Sequence, residues 1–475
     1  MDLEKRIDAL TPEMTEALKT LVSIKSVKDA PAPGAPYGKG AAKCLAAALD
    51  IASKLGFKTH NMDGYLGWAE YGEGKEMVAV LGHLDVVPEG EGWTVCKPYE
   101  PKEQDGRLYG RGTIDDKGPI VSALFALKAL KDEGFMPSRR VRVIFGCDEE
   151  TGSSDMAYYL AHGGEVPATG FTPDGGYPLI NGEKGIAGVT FEKKLAQRGE
   201  WKLLSLAGGT ASNIVPAHAS ADIACPEDVS VLAELKYPKT IRVTPTEAGL
   251  HIEADGVSAH GSLPEQGENA IGRLCLFLKQ LPLSADAAAA VGYIADNIGM
   301  DTTGRAFGID LHDALSGALS FNLGIAQSDA GKVLPAKHAG EPEEYEGAKA
   351  LRITINYRWP VTCHFEDCGP RLDAAFEKAG WKLVHEHYEN ALFQPADSEL
   401  VQKLLAVYKA HTGDDSPAMC IGGGTYAKGI PNILAFGPTF PGEEVREHQP
   451  DEFIDLSHFV LNAKIYADAI RALAE

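Results

Sequence analysis

An α/β fold with a second domain inserted into it is what this sequence predicts, and three observations carry the prediction. Apolar runs short enough to be buried strands, such as Met77-Val-Ala-Val-Leu81 and Val141-Arg-Val-Ile-Phe-Gly146, alternate with longer segments of helical spacing. From about Gly185 the strands become alternating and more polar, as in Ile241-Arg-Val-Thr244 and Leu351-Arg-Ile-Thr-Ile-Asn-Tyr357. From about Asn390 the first texture returns. Residues 1–184 and 389–475 are therefore expected to form one domain, a mixed sheet flanked by helices on both faces. Residues 185–388 are expected to form an inserted α+β domain with one wet sheet face.

Taken in order, residues 2–21 show helical spacing through Leu3, Ile7, Leu10, Met14, Leu18 and Leu21, and Asp29 to Pro36 is loop by composition. A second helix runs from about Gly38 and stops at Gly56 after Leu55. Strand-like pieces follow at Phe57–Met62, Tyr65–Tyr71 and Met77–Leu81. The turn-rich Val87 to Trp93 and the stretch Leu108 to Pro119 lead into the apolar helix Ile120–Leu130. The strand Val141–Gly146 ends on Cys147-Asp-Glu-Glu-Thr-Gly152, and a helix at Ser153–Leu160 precedes Phe171-Thr-Pro-Asp174. In the middle region the helix candidates are Glu227–Leu235, Asn269–Leu281, Ala285–Ile298 and Glu366–Ala379. Ile241 to Leu281 and Leu351 to Val384 each hold strand and helix signals, a hint of two related halves. The last part gives a helix at Ser398–His411, strands at Ala418–Ile421 and Asn432–Phe436 around a glycine-rich loop, and a terminal helix from Ile454.

Composition narrows the function classes. The formal charge of −22 disfavours nucleic acid or an anionic membrane as partner. No charged-then-apolar leader opens the chain and no apolar run approaches the ~20 residues of a membrane span, so a soluble cytoplasmic protein is expected. The eight cysteines are scattered without a Cys-x-x-Cys pair, which supports neither a zinc knuckle nor a thioredoxin-like site.

Chemistry concentrates at turns. His83 and Asp85 stand two apart at the end of the Met77–Leu81 run, so both project the same way where open α/β sheets place their sites. A metal-binding histidine needs its other ring nitrogen fixed by an acceptor, and a nearby carboxylate can do that. Asp115-Asp116, Asp148-Glu149-Glu150 and Asp174 occupy similar turns, and Glu447-His448-Gln449-Pro450 precedes the terminal helix. Each alone could be a helix N-cap or a solvated turn. Together they would repel one another, and a pair of divalent cations removes that penalty. His and carboxylate ligands suit Zn²⁺ first, with Mn²⁺ or Co²⁺ also matched in ligand type.

The motifs Gly82-His83-Leu-Asp85, Gly110-Arg-Gly-Thr-Ile-Asp115-Asp-Lys-Gly118, Asp148-Glu-Glu-Thr-Gly152 and the C-terminal His448 resemble the M20 metallopeptidase family, and within it the PepV-type, carnosinase-like dipeptidases. Phe171 to Asp174, Asn181-Gly-Glu-Lys-Gly185, Gly256-Val-Ser-Ala-His260-Gly and Gly422-Gly-Gly-Thr-Tyr426 extend the match in family order over nearly the whole chain. The resemblance implies a zinc-peptidase-like catalytic domain with an inserted lid and two metal ions. Asp115 would bridge them, with Asp116 as its rival. His83 and Glu150 would serve one ion, His448 and Asp174 the other, a pairing left open. Asp85 would orient His83, and Glu149 would be the general base that takes a proton from the attacking water and hands it to the leaving amine.

In the lid, the resemblance makes His260 the donor to the tetrahedral oxyanion and Asn213 a second substrate contact. Arg358 is a candidate clamp for a substrate carboxylate, because a guanidinium binds one bidentately; an exposed strand-end arginine is the competing reading. Gly423, Gly424 and Thr425 can offer backbone N–H groups to the same carboxylate. A lid of roughly 200 residues is about twice a simple α+β sandwich, which the resemblance links to an enlarged lid that mimics a dimer partner and hence to a monomer. The implied function is hydrolysis of unblocked dipeptides, of the Xaa-His or β-Ala-His kind or over a broad range. The alternatives are a deacylase or carboxypeptidase acting on N-acyl amino acids, or a non-catalytic metal-binding relative.

Overall fold

The computed structural model describes residues 3–226, 231–334 and 344–475. They divide into two compact units, one made of residues 1–182, 393–420 and 424–475, the other of residues 183–392 and 421–423.

The first unit is built on a sheet in which seven strands run in the order Lys58–Met62, Leu66–Tyr71, Arg140–Gly146, Met77–His83, Thr169–Thr172, Ile433–Ala435 and Ile180–Glu183. Met77–His83 lies in the middle, parallel to Arg140–Gly146 on one side and to Thr169–Thr172 on the other. All seven of its residues are buried, which is why its apolar run is unbroken rather than alternating. Its register sets His83 beside Gly146, so both chains leave the sheet at the same level. That common end of the parallel strands is where the site residues emerge.

Helices cover this sheet. Lys117–Asp132 is buried on nearly every side and packs against both Leu3–Val22 and Leu456–Ala474, as expected of a helix apolar all round. It starts before the predicted Ile120 because Lys117 is held inside: its ammonium donates to the carbonyls of Leu21 (3.1 Å) and Ile24 (3.0 Å) at the end of the first helix. Cations are stabilising at such a terminus. The terminal helix begins at Leu456, not Ile454. Phe453–Asp455 instead pairs antiparallel with Arg107–Tyr109, and the Asp455 carboxylate then caps the helix by accepting from the Ser457 amide.

The second unit holds one eight-stranded antiparallel sheet. Its strands follow the order Ile241–Thr246, Gly249–Asp255, His218–Ala224, Lys202–Gly208, Ser320–Ser328, Ala350–Trp359, Gly185–Lys194 and Lys382–Glu389. Among the described residues the strand pairing between the two groups of four sets Ala207 opposite Gln327 and Gly208 opposite Ala326. Helix Ala270–Leu278 packs on strands of both groups, capped by Asn269, whose side chain accepts from Ile271 and Gly272 N–H. Helix Gly369–Lys378 is shorter than the predicted Glu366–Ala379, because Phe365–Asp367 forms a 3₁₀ turn and Pro370 sets the helix start. Of the predicted helix Glu227–Leu235, residues 227–230 lie outside the described residues and Val231–Glu234 is a single helical turn. Among the described residues no helix is long and apolar enough to cross a membrane.

Candidate active site

Six acidic and histidine side chains of the first unit converge at the C-terminal end of its parallel strands. The Asp115 carboxylate lies between two imidazoles, with Oδ1 2.9 Å from His83 Nε2 and Oδ2 2.9 Å from His448 Nε2. Glu150 Oε2 is 3.1 Å from the same His448 nitrogen, and Asp174 Oδ2 is 4.0 Å from His83 Nε2. These contacts set Asp174 beside His83 and Glu150 beside His448, and the pairing of the terminal ligands stays open. His83, Asp115 and Glu150 also lie within one ion's reach, as do His83, Glu149 and Asp174, so Glu149 stands on the His83 side.

Asp116 takes no part in this bridge. Its side chain is fully buried and Oδ2 accepts the His83 backbone N–H at 3.1 Å. Gly82 makes the room, since a Cβ there would lie 2.2 Å from that oxygen.

Asp85 stands against the His83 ring with both its carbonyl and its carboxylate. His83 Nδ1 lies 3.0 Å from the main-chain carbonyl of Asp85 and 3.5 Å from its carboxylate. A carbonyl can only accept, so Nδ1 carries the hydrogen and Nε2 faces Asp115. The two oxygens of the Asp85 carboxylate accept from the amides of Glu149 (3.2 Å) and Glu150 (3.1 Å). The Asp85 carbonyl takes the shorter contact with the imidazole, and the carboxylate beside it also grips the turn carrying the two glutamates.

Sequence reasoning passed over several residues that hold these loops. Arg111, inside the Gly-Arg-Gly-Thr motif, forms a buried ion pair with Glu452 at 2.6 Å. The other Glu452 oxygen accepts from the amides of Ile114 (3.1 Å) and Asp115 (3.4 Å). The loop bearing His448 is thereby tied to the loop bearing Asp115. His448 itself sits in the left-handed region at φ 63°, a conformation that costs a non-glycine residue about 1–2 kcal/mol. Asp155 accepts from the amides of Cys147 and Asp148, and Tyr426 donates to it at 2.6 Å. Charge and aromaticity were the local signals; Arg111 and Glu452 are 341 positions apart, and Asp155 and Tyr426 271.

The electrostatics call for positive charge. Burial alone would push the Asp115 carboxyl up, but hydrogen bonds from His448 and His83 outweigh it and hold it well below the usual range. Hydrogen bonds to Asp115 and Glu150 lift His448 to about 11. Burial, then the neighbouring Asp115 charge, pushes Glu150 up to about 7, and burial with Asp174 pushes Glu149 well up. Glu150 Oε1 is buried without a hydrogen-bond partner. An acidic cluster with an orphaned buried oxygen and two inward imidazole nitrogens fits divalent cations.

The remaining predicted residues fall in or beside the second unit. Asn213 and His260 are neighbours, through the Ile214–His260 bridge and a 2.6 Å bond from Gly261 N–H to the Asn213 carbonyl. His260 Nδ1 accepts from the Ser262 backbone N–H at 3.3 Å and lies 2.6 Å from Ser262 Oγ. An amide can only donate, so in the neutral ring the hydrogen is on Nε2. Arg358 is buried, not exposed at a strand end; it donates to the Gly422 carbonyl at 2.5 Å and to Asn356 Oδ1 at 3.2 Å. Burial lowers it to about 10. The division between the units falls between Gly423 and Gly424, and Thr425 Oγ1 accepts from the Ala427 amide at 3.1 Å.

Known proteins resemble the chain over nearly its whole length. Residues 79–472 match the model of peptidase family M20/M25/M40. The chain is 34% identical over 489 residues, covering 100% of both chains, to YtjP of Bacillus subtilis (strain 168), whose assignment as a dipeptidase is itself provisional. It is 30% identical to the Beta-Ala-Xaa dipeptidase of Lactobacillus delbrueckii subsp. lactis, covering 99% of this chain and 97% of that one. Human carnosine dipeptidase 1 shares the fold, with a TM-score of 0.59 and 16% identity over 99% of this chain and 98% of that one.

Proposed function

The chain belongs to the M20 family of metallopeptidases, and from that premise we propose that it is a two-metal dipeptidase acting on unblocked dipeptides. One observation supports the reading above others: the Asp115 carboxylate stands between His83 and His448, with Asp174 beside the first and Glu150 beside the second. On this reading His83, Asp115 and Asp174 hold one cation and His448, Asp115 and Glu150 the other, Zn²⁺ before Mn²⁺ or Co²⁺. Bound there, the cations supply Lewis acidity that acidifies water and polarises the scissile carbonyl.

The residues do the rest. Glu149, whose raised affinity for a proton suits an acid–base carrier, accepts a proton from the attacking water and passes it to the leaving amine. His260 offers Nε2–H to the oxyanion, in the tautomer that Ser262 selects. Arg358 and the N–H groups of Gly423, Gly424 and Thr425 take the substrate carboxylate, and Asn213 is a further contact. Similarity to a Beta-Ala-Xaa dipeptidase favours β-Ala-Xaa peptides as the first substrates to try.

The purified metal-loaded enzyme should hydrolyse β-Ala-His or α-dipeptides faster than N-acetyl amino acids. Turnover of the acetylated compounds alone would replace the dipeptidase reading by the deacylase one, and no turnover of either would favour a non-catalytic relative. The enlarged second unit supports a monomer, which sedimentation velocity tests; an obligate dimer would overturn it.

A further inference from the structure

The turn carrying the two glutamates poses a hydrogen-bonding problem. When the chain leaves the sheet after Gly146, the amides of residues 147–150 lose strand partners while Cys147 and Asp148 remain fully buried. Buried amides must be paired. Two carboxylates from different parts of the chain take them in order. Asp155 Oδ2 accepts from Cys147 at 2.7 Å and Asp148 at 3.2 Å; Asp85 accepts from Glu149 at 3.2 Å and Glu150 at 3.1 Å.

Asp155 is itself fixed. Its Oδ1 accepts from the Met156 amide at 2.8 Å, and Oδ2 receives the Tyr426 hydroxyl at 2.6 Å. The same hydroxyl lies 3.4 Å from the Asp148 amide. Both side chains are fully buried. Gly146 is part of the fitting, because a Cβ there would meet the Tyr426 oxygen at 2.1 Å. The Tyr426 ring meets the His83 ring edge-on at 6.2 Å. One tyrosine thus touches the imidazole on one strand end and the carboxylate that secures the next.

We propose that Asp155, backed by Tyr426, is a positioning residue that fixes the main chain of residues 147–150 and so places Glu149 and Glu150. It touches neither substrate nor cation and acts through the turn. The proposal rests on the reading of Glu149 as proton carrier and Glu150 as ligand. Misplacement by about 1 Å is enough to cost on the order of a hundredfold in rate.

The test compares Asp155→Ala, Asp155→Asn and Tyr426→Phe in the metal-loaded enzyme. It measures kcat and KM per folded molecule, together with hydrogen exchange by mass spectrometry over residues 147–156. Asp155→Ala should lower kcat about ten- to a hundredfold with KM within twofold, and exchange in this segment should accelerate. Asp155→Asn should recover to within about fivefold, because its amide oxygen still accepts from Cys147 and Asp148 and only the Met156 bond is lost. Tyr426→Phe should give a several-fold loss with faster exchange, which keeps the test decisive if Asp155→Ala does not fold. Wild-type kcat per folded molecule in Asp155→Ala, Asp155→Asn as impaired as Asp155→Ala, or unchanged exchange and rate in Tyr426→Phe would each overturn the proposal. Glu149→Ala separates the layers. If that variant stays active, the reading beneath the proposal falls. If it is inactive while the Asp155 variants are normal, only the role of Asp155 falls.

Discussion

At the scale of single residues, Glu149 is the sharpest case. Geometry alone would let it serve as a ligand, since its carboxylate shares one ion's reach with His83 and Asp174. The two roles separate experimentally. Glu149→Ala should reduce kcat by about a hundred- to ten-thousandfold while metal content, measured by mass spectrometry of the digested protein, stays near two ions per chain; loss of an ion would make Glu149 a ligand instead. Away from the site, Asp373 offers a pH test. Burial and the Glu386 charge raise its carboxyl to about 6, and its Oδ1 is buried without a partner. The folded state therefore holds a proton that the unfolded chain releases near pH 4, so stability falls as pH rises from about 4 to about 6 and stays low above that. Asp373→Asn should raise the melting temperature by a few degrees at pH 8 and leave it unchanged below pH 4. Residue identity was legible where chemistry clusters locally, as at Asp148-Glu149-Glu150. That the Asp85 carboxylate also grips the turn carrying the two glutamates was not, because those amides belong to a different stretch of chain. Nor could Asp155 and Tyr426, 271 positions apart, be paired from sequence.

At the scale of elements, the apolar run Met77–Leu81 was readable because a central parallel strand is buried on both faces and leaves no period to misjudge. Helix ends were read less well. Lys117 extends its helix inward through bonds to another helix's carbonyls, and Phe453–Asp455 becomes a strand because Arg107–Tyr109 offers it an edge. Neither partner is local. The Arg111–Glu452 pair is the tie between two loops that their own sequences leave unstructured. Arg111→Ala leaves a buried carboxylate without its cation, and should cost about 3–5 kcal/mol in chemical denaturation while weakening metal affinity. An equal loss of stability with unchanged affinity would show that the tie supports the fold but not the site.

At the scale of the molecule, the texture change near Gly185 and its reversal near Asn390 expressed two different sheets, one with parallel strands covered on both faces and one antiparallel throughout. The cation requirement also belongs to this scale, since its donors come from five separate stretches of chain. Removing divalent ions with EDTA should lower the melting temperature, and Zn²⁺ at a hundred times its dissociation constant should return about 2.7 kcal/mol per site. Asp115→Asn should blunt the response in calorimetry, because that carboxylate meets both histidines; an unchanged response would remove it from the bridge.

The interruption of the first unit by the second also imposes a schedule on biosynthesis. Residues 183–392 are contiguous and can fold as soon as they leave the ribosome, whereas Asp174 and His448 are separated by 274 positions. At about 5–20 residues per second, roughly 14–55 s pass between their syntheses. Throughout that interval the strand-end carboxylates exist without His448 and without the Arg111–Glu452 tie. The nascent chain should therefore acquire the cation that His448 holds only after translation of the terminal segment, which makes completion of the pair a late, post-translational event.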